Sequence, residues 1–462
     1  MGSITATTTM AALPPSLNPT KTHQASKPSP SPSESQPQPK TYPTPWIPTP
    51  LIKSTPLSTL AGCTILLKLE NTQPSGSFKS RAMGAQILSH LHNPANAGKR
   101  VQFFASSGGN AGLAAVCAAR TLGFPCTVVV PVSTKALMVE KLVKAGARRV
   151  IRYGETFDEA GVYMREVVMK ESEDGEGKGE GKGEGEVVKI ALHPFDHEAI
   201  WEGNSTVIDE LVEQVPAFVG DEEEDERVLP VDAIVCSVGG GGLLNGLVMG
   251  LERRRQQLEK EKSLLSTGKQ SKPTHLLAVE TRGTDSLAAA VAKGSLVSLP
   301  KITSQATSLG AIRVSERTLQ YALHPPEGVK VHSTVLTDAE AARGVLRLVD
   351  DERLLVELAC GVCVEAAIGD ASGAVKTTKK RKREVDEGYG DDRLSAGENE
   401  DEELVDELKT EALPLQSRLK ELVPDLGPQS RVVIVVCGGS NVTIDAAVEW
   451  RKMLKEGWGD GN

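Results

Sequence analysis

The stretch PSGSFKSRAMG, Pro74–Gly84, centres on Lys79 and joins a predicted strand to a predicted helix. It follows an alternating apolar segment, Thr64–Glu70, that predicts a strand, and it precedes apolar residues at helical spacing that predict a helix. The small and polar residues between them predict a turn from which the Lys79 amine projects into a cleft. An amine in such a place can form a Schiff base. Taken alone, the motif equally fits an ordinary surface lysine beside a turn.

Length, charge and cysteine content narrow the class of protein. The chain has 462 residues, which favours two domains over a single core. Its net charge of -9 comes from a few acidic runs, so it gives no support for nucleic-acid binding and favours small-molecule partners. Seven scattered cysteines predict reduced thiols. No apolar run approaches the roughly 18 to 20 residues of a membrane span. We therefore expect a cytoplasmic protein without a membrane partner.

Strand-like and helix-like runs alternate from Thr64 to about Leu211, which is typical of parallel α/β layers. CTVVVP, Cys126–Pro131, predicts a buried strand, and Ala136–Ala145 predicts the helix that follows it. The apolar runs VDAIVCSV, HLLAVE and RVVIVV predict further core strands. Thr337 and Glu340 predict a capping box at the start of a later helix. The fold class is therefore α/β with open parallel sheets and helices on both faces.

Several segments lack the apolar residues that would offset the cost of ordering them. Residues 1–44, rich in Pro, Ser and Thr, predict a disordered tail, and the absence of arginine there argues against a mitochondrial presequence. Residues 171–187 predict a low-complexity loop. Charged runs predict further disordered insertions at about 221–228, 253–272 and 370–412. The KKRKR run at Lys379–Arg383 also fits a nuclear signal, although a charge-balanced surface loop is the favoured interpretation.

Two glycine-rich turns follow predicted strands. SSGGNAG, Ser106–Gly112, leads into an alanine-rich helix, where free backbone N–H groups favour a small carboxylate; Ser107 and Asn110 offer further hydrogen bonds. A plain tight turn is the alternative. SVGGGGLLNG, Ser237–Gly246, fits a phosphate cradle but neither a dinucleotide nor a nucleoside-triphosphate motif. A lysine, a carboxylate site and one phosphate site together favour pyridoxal phosphate acting on an amino acid.

Six motifs occur in the order seen in a known family. They are KLENTQPSGSFKSRAMG, SSGGNAGLAA, PFDHEAIWEG, SVGGGGLLNG, AVETRGTDS and VVCGGSN. In this respect the chain resembles the serine/threonine dehydratases, pyridoxal-phosphate enzymes of the tryptophan synthase β fold, and most closely their catabolic L-serine members. The resemblance runs from about Trp46 to the C-terminus. It implies a large domain of residues 45–80 and 189–462, a small domain of residues 81–188, the cofactor between them, and a homodimer.

The resemblance also implies roles for individual residues. Lys79 would carry the cofactor and act as the catalytic base. The other cofactor-binding residues would be Phe78, Asn110, Gly239, Gly240, Gly241, Gly242, Leu243 and Cys437. The substrate carboxylate would be bound by Ser107, Gly108, Asn110 and Ala111. A potassium-like ion would be held by oxygens of Gly239, Glu280, Thr284, Ser286, Leu309 and Ala311, a ligand set without thiol or imidazole.

The implied reaction is β-elimination of L-serine to pyruvate and ammonia, with L-threonine giving 2-oxobutanoate. Cys437 opposite the pyridine nitrogen would be a weaker proton partner than a carboxylate, which favours elimination over transamination. Three alternatives remain open: a biosynthetic threonine dehydratase, a β-replacing synthase, and an inactive relative that serves as a scaffold.

Overall fold

Strands and helices alternate through most of the described chain. The computed structural model describes residues 41–171, 186–219, 229–262, 272–369, 375–378, 409–412 and 417–459. The strands are β1 (Leu51–Ser54), β2 (Thr64–Lys68), β3 (Arg100–Ala105), β4 (Cys126–Val130), β5 (Arg149–Arg152), β6 (Val187–Ala191), β7 (Ala233–Ser237), β8 (Thr274–Thr281), β9 (Val329–Leu336), β10 (Val375–Thr378), β11 (Lys409–Ala412) and β12 (Arg431–Val435). The helices are α1 (Thr55–Ala61), α2 (Lys79–Leu91), α3 (Asn110–Thr121), α4 (Ala136–Ala145), α5 (Phe157–Glu166), α6 (Glu198–Gln214), α7 (Gly242–Lys262), α8 (Ser286–Lys293), α9 (Glu316–Leu323), α10 (Asp338–Glu352), α11 (Leu358–Ile368), α12 (Arg418–Leu422) and α13 (Ile444–Lys455).

Two open sheets carry the fold. The larger has six strands in the order β1-β2-β12-β7-β8-β9, and the smaller has four in the order β5-β4-β3-β6. All neighbours in both sheets are parallel except β1, which pairs antiparallel with β2 at one edge. The carboxyl ends of the parallel strands therefore lie along one edge of each sheet, where ligands bind in open α/β folds.

The central strands are buried on both faces. Every residue of β4, β7 and β12 is buried, because helices cover parallel sheets on both sides. One apolar core surrounds the six-stranded sheet, and a second joins β3 and β4 to α2 and α3. The predicted α/β class with parallel sheets is confirmed, and the antiparallel edge strand β1 is an addition to it. Within the described parts of the chain, none of the helices has the length and apolarity that a bilayer crossing requires.

Local signals in the sequence matched the structure well. The helix predicted at Ala136–Ala145 is α4, residue for residue. The predicted capping box is present at the start of α10, where the Thr337 hydroxyl accepts from the Glu340 N–H and the Glu340 carboxylate accepts from the Thr337 N–H. Both features depend on residues a few positions apart, so tertiary context does not have to be known to predict them.

Several predicted boundaries were wrong. The small-domain boundary at 188 falls inside β6, which pairs with β3 over residues 187–191. The segment predicted as a disordered tail, residues 1–44, includes Tyr42, which packs against His92 and Phe124. The insertion predicted from residue 253 begins later, since α7 continues to Lys262. There Arg253 pairs with Asp209 of α6 at 2.8 Å, so a charged helix face was mistaken for a loop.

The insertion predicted at 370–412 contains two short strands. β10 and β11 pair antiparallel, with Val375 opposite Ala412 and Thr378 opposite Lys409. The composition of the segment did not predict these two strands, because charged residues flank both of them. Of the low-complexity loop predicted at 171–187, Glu171, Glu186 and Val187 are described, and Val187 is the first residue of β6. The remaining residues of these predicted segments, including the KKRKR run, lie outside the described residues.

Candidate active site

Lys79 is the first residue of α2, at the end of the turn that follows β2. The turn pairs with the segment after β12. Ser77 forms a β-bridge with Gly438, and the Phe78 N–H donates to the Cys437 carbonyl at 3.2 Å. Because β2 and β12 are neighbours in the sheet, their carboxyl ends bring Lys79 beside Cys437, 358 positions later in the chain.

The Lys79 amine is held at the junction of the two sheets. Its Nζ donates to the Pro194 carbonyl at 2.7 Å and lies 5.1 Å from the centre of the Phe78 ring. Burial lowers the pKa of Lys79 to about 8, because the ammonium form loses solvation there. Burial raises the pKa of the Cys437 thiol to about 11 for the same reason. The amine is therefore a much better nucleophile and base near neutral pH than a solvated lysine.

The glycine loop begins where β7 ends and runs into α7. A side chain at Gly240 would place its Cβ 2.2 Å from the Phe195 ring, and one at Gly241, whose φ is +91°, would lie 1.8 Å from the Thr318 hydroxyl. These two positions therefore require glycine. Gly242 starts α7, so backbone N–H groups at the helix N-terminus are left to bind an anion.

Hydrogen bonds among buried polar side chains fix the shape of the glycine loop. Asn245 Nδ2 donates to Ser315 Oγ at 3.1 Å, and the Thr318 hydroxyl donates to Asn245 Oδ1 at 3.0 Å. The Ser315 N–H donates to the Gly240 carbonyl at 3.1 Å. The cradle is thus preformed, because a network of satisfied hydrogen bonds rigidifies it.

The lysine and the glycine loop face one segment of chain, Pro194–Phe195. Pro194 accepts from the lysine amine, while the Phe195 ring packs on Gly240. Ser237, the last residue of β7, lies 3.5 Å from Cys437 Sγ and connects the loop to the lysine side of the site. The lysine, the thiol and the cradle therefore lie together at the carboxyl ends of β2, β12 and β7.

The SSGGNAG turn of the smaller sheet closes the other side. It follows β3, and Asn110 begins α3. Ser107 Oγ accepts from the Gly109 N–H at 3.3 Å, and Gly112 approaches the Ser107 carbonyl so closely that a Cβ there would lie 1.8 Å from it. Gly108 is partly exposed and Ala111 is buried. Neither has a polar side chain, so each can bind a ligand only through its backbone. Asn110 Oδ1 accepts from the Ser440 N–H at 2.9 Å, which joins this turn to the segment after β12.

The proposed cation ligands lie beside the glycine loop. Glu280 is fully buried, accepts from the Leu287 N–H at 2.7 Å, and has its pKa raised to about 8 by burial. The Ser286 hydroxyl is buried without a hydrogen-bond partner. Gly239 contacts Leu309, since a Cβ on Gly239 would lie 3.3 Å from the Leu309 carbonyl. An unsatisfied hydroxyl among carbonyl and carboxylate oxygens suits a hard monovalent cation.

Thr284 and Ala311, the other two predicted cation ligands, lie on the same backbone segments as Ser286 and Leu309. The Thr284 carbonyl accepts from the Ser286 N–H at 2.9 Å, and the Ala311 N–H donates to the Leu309 carbonyl at 2.7 Å. Over the described ranges, no group of three or more His, Cys, Asp or Glu side chains is arranged to hold a metal ion. A cation here would therefore depend on carbonyl and hydroxyl oxygens.

Sequence reasoning missed several residues that shape the site. The Pro194 carbonyl, the Phe195 ring and the Ser440 backbone lie inside quoted motifs, but their contacts are set by the fold. Glu357 was missed altogether. It is 5% exposed and accepts hydrogen bonds from Asn110 and from the Asn441 N–H. The sequence signal for it was a single acidic residue immediately before the apolar helix α11. Because burying a carboxylate is costly, an acid in such a place indicates hydrogen-bond partners supplied by the fold.

A lysine of lowered pKa and a glycine cradle between two parallel sheets define a class of cofactor-dependent enzyme. Residues 43–382 match the family model described as pyridoxal-phosphate dependent enzyme. The chain therefore belongs to the family of pyridoxal-phosphate dependent enzymes.

Individual relatives narrow the comparison. The chain is 38% identical over 315 residues to the L-serine dehydratase of Saccharomyces cerevisiae, covering 68% of this chain and 82% of the relative. It is 38% identical over 363 residues to a serine dehydratase-like protein of Rattus norvegicus, covering 79% of this chain and 94% of the relative. Among solved structures, a fungal L-serine ammonia-lyase from Rhizomucor miehei superposes with a TM-score of 0.63 at 28% identity, covering 88% of this chain and 98% of that one.

The cofactor of this enzyme class is pyridoxal phosphate, and the residues present fit it. The glycine loop ends at Gly242, the first residue of α7, and backbone N–H groups at a helix N-terminus can bind a phosphate. The lysine amine contacts Pro194, next to the Phe195 ring that packs on this loop, and burial reduces its basicity. The Ser77 hydroxyl, two residues before the lysine, is buried without a partner and is available to a bound group.

Proposed function

We propose that the protein is an L-serine dehydratase, which converts L-serine to pyruvate and ammonia and also accepts L-threonine to give 2-oxobutanoate. The observation that carries this proposal is the shared contact of Lys79 and the glycine loop with Pro194–Phe195. The curated relatives named L-serine dehydratase support the choice of substrate. The reaction balances, because the water lost in elimination is regained when the imine product is hydrolysed.

Binding of the cofactor is assigned to four groups of residues. The N–H groups of Gly239–Leu243 bind the phosphate, and Phe78 packs beside the ring. Asn110 would hydrogen-bond the phenolic oxygen, and Cys437 would face the pyridine nitrogen. When bound, pyridoxal phosphate draws electrons from the substrate's α-carbon and so weakens its C–H bond.

The substrate is oriented by the SSGGNAG turn. The carboxylate is held by the Ser107 hydroxyl and by backbone N–H groups from Gly108 to Ala111, where α3 begins. Binding by an N-terminal helix turn requires no cationic side chain.

Proton transfer is assigned to Lys79. A pKa of about 8 leaves a useful fraction of the amine neutral near pH 7.5, so Nζ can take the α-proton. The Pro194 carbonyl orients the amine. Cys437, with a pKa of about 11, stays an uncharged thiol and does not hold a proton on the ring nitrogen as a carboxylate does. That difference favours prompt loss of the β-hydroxyl over transamination.

A potassium ion bound near Glu280 and Ser286 is proposed to stiffen the phosphate cradle. Gly239 contacts Leu309, so an ion on these carbonyls fixes one end of the loop. Replacing K⁺ by Li⁺ in the assay buffer is expected to lower activity and cofactor affinity together. Equal activity in both salts would refute the ion site while leaving the reaction unaffected.

The protein is further proposed to be a cytoplasmic homodimer. The family resemblance supports the dimer, and seven cysteines without a disulfide among the described residues support a reducing compartment. Light scattering of the purified protein tests the first statement, and cell fractionation tests the second. A monomer, or recovery in an organelle, would contradict them.

The decisive assay compares Lys79→Ala with the exposed control Lys144→Ala. Ammonia and 2-oxo acid release are measured with L-serine, L-threonine and D-serine. The wild type and Lys144→Ala are expected to act on L-serine, while Lys79→Ala loses at least about a thousandfold in kcat. Turnover retained in Lys79→Ala, or no release of pyruvate by the wild type, would refute the proposed function.

A further inference from the structure

Glu357 is a buried carboxylate at the active site that no step above uses. Its side chain accepts three hydrogen bonds: Oε1 from Asn110 Nδ2 at 3.0 Å and from the Asn441 N–H at 2.7 Å, and Oε2 from the Ser308 hydroxyl. These donors come from three separate segments. One is the turn after β3 in the smaller sheet, one is the turn after β12, and one is the short helical turn Thr307–Leu309.

The stability of its own helix does not explain this carboxylate. Glu357 is the N-cap residue of α11, yet its side chain makes no capping hydrogen bond to that helix. It points toward the site instead. Gly439, whose φ is +116°, makes room for it, since a Cβ there would lie 2.4 Å from the Glu357 carboxyl. A buried carboxylate is costly unless it is fully hydrogen-bonded, so its three donors have to be kept in place.

The contact with Asn110 fixes which end of that amide faces the cofactor. An asparagine amide can be turned over with little change in shape, because its oxygen and nitrogen are nearly isosteric. Here a carboxylate oxygen accepts at one end and the Ser440 N–H donates at the other, at 2.9 Å. Only one orientation satisfies both partners. The second N–H of Asn110 Nδ2 makes only a long contact of 3.4 Å with the Ser308 hydroxyl oxygen, which a bound acceptor can replace.

We propose that Glu357 is a positioning residue of the dehydratase reaction. It would orient the second N–H of Asn110, which has only the long contact with Ser308, toward the phenolic oxygen of the cofactor. Through Asn441 and Ser308 the same carboxylate holds two segments of the larger sheet's side together, and through Asn110 it joins them to the smaller sheet. This inference rests on the proposed function, because Asn110 is assigned to the cofactor there.

Three substitutions separate hydrogen bonding from charge and packing. Glu357→Met keeps the length of the side chain but accepts no hydrogen bond. Glu357→Gln keeps the accepting oxygen without the charge, and Glu357→Asp keeps the charge but is one methylene too short. Glu140→Met, at an exposed position on α4, is the matched control. The readouts are the visible absorbance band of the bound cofactor and its pH titration, cofactor affinity, kcat and KM separately, and urea unfolding of the cofactor-free protein.

Glu357→Met and Glu357→Asp are expected to shift the absorbance band or its titration and to lower kcat by about 10- to 100-fold, the usual effect of losing a hydrogen bond to a charged group. Glu357→Gln is expected to stay close to the wild type. The losses from Glu357→Met and Asn110→Ala should not add, because both act through the same amide. If Glu357→Met fails to fold, comparing the absorbance band and kcat of Glu357→Gln with those of Glu357→Asp still tests the inference.

Several results would overturn the inference. One is a Glu357→Met protein with lower stability but an unchanged absorbance band and kcat, since that indicates a purely structural role. Others are an Asp variant closer to the wild type than the Gln variant, and additive losses with Asn110→Ala. Failure of the proposed function is distinguishable, because the wild type would then show no cofactor band or release no pyruvate.

Discussion

At the scale of single residues, burial acts in opposite directions on two neighbouring groups. It lowers the pKa of Lys79 to about 8 and raises that of Cys437 to about 11, because in each case the charged form loses solvation. Both groups are therefore uncharged in a window of moderately alkaline pH. A neutral amine next to a neutral thiol suits a site in which the lysine alone exchanges protons.

This shift predicts the pH dependence of cofactor capture. The neutral amine is the reactive form, so the rate at which the cofactor-free protein develops its visible band should rise with pH through a midpoint of about 8. Stopped-flow absorbance after mixing with pyridoxal phosphate measures it. A midpoint near the ordinary lysine value of about 10.4 would show that the amine is solvated in the free protein.

At the scale of elements, a buried ionic cluster fixes the first turn of α2. Arg81, two residues after Lys79, pairs with Glu70 at 2.7 Å and with Glu210 of α6 at 2.5 Å. Lys68 of β2 pairs with the same Glu210. Arg81, Glu70 and Lys68 are fully buried. The cluster therefore ties β2, α2 and α6 together directly behind the site.

Breaking this cluster should cost much more stability than breaking a surface pair. Arg81→Met leaves the buried Glu70 without its main partner and is expected to lower the free energy of unfolding by about 3 to 5 kcal/mol. Arg253→Met removes exposed pairs with Asp209 and Glu202 and should cost at most about 1 kcal/mol. Urea titration of the two variants compares them. Equal losses would mean that the cluster does not hold the elements together.

At the scale of the whole molecule, the two sheets meet through their carboxyl edges. Contacts across this junction include Lys79 with the Pro194 carbonyl, Asn110 with Ser440, and Lys141 of α4 with the Ser440 carbonyl. Each joins a residue on the side of one sheet to a loop on the side of the other. The proposed cofactor and substrate sites therefore require both sheets, which explains why the motifs are dispersed along the chain.

How much could be predicted from the sequence follows from this arrangement. The α4 helix and the Thr337 capping box depend on neighbouring residues, and both were predicted. The strand ends that carry Lys79 and the glycine loop were also predicted, since each motif follows an apolar run. The bond between Asn110 and Glu357 joins residues 247 positions apart, and no local pattern encodes such a contact. The boundary at β6 failed for a similar reason, because pairing with β3 decides it.

The most direct test of the central claim is to find the residue that carries the cofactor. The purified protein, loaded with pyridoxal phosphate, is treated with borohydride, digested and mapped by mass spectrometry. The account predicts a phosphopyridoxyl group on Lys79, and its loss when glycines of the Gly239–Gly242 loop are replaced by bulkier residues. A label on another lysine, or labelling of Lys79 that does not depend on the glycine loop, would contradict it.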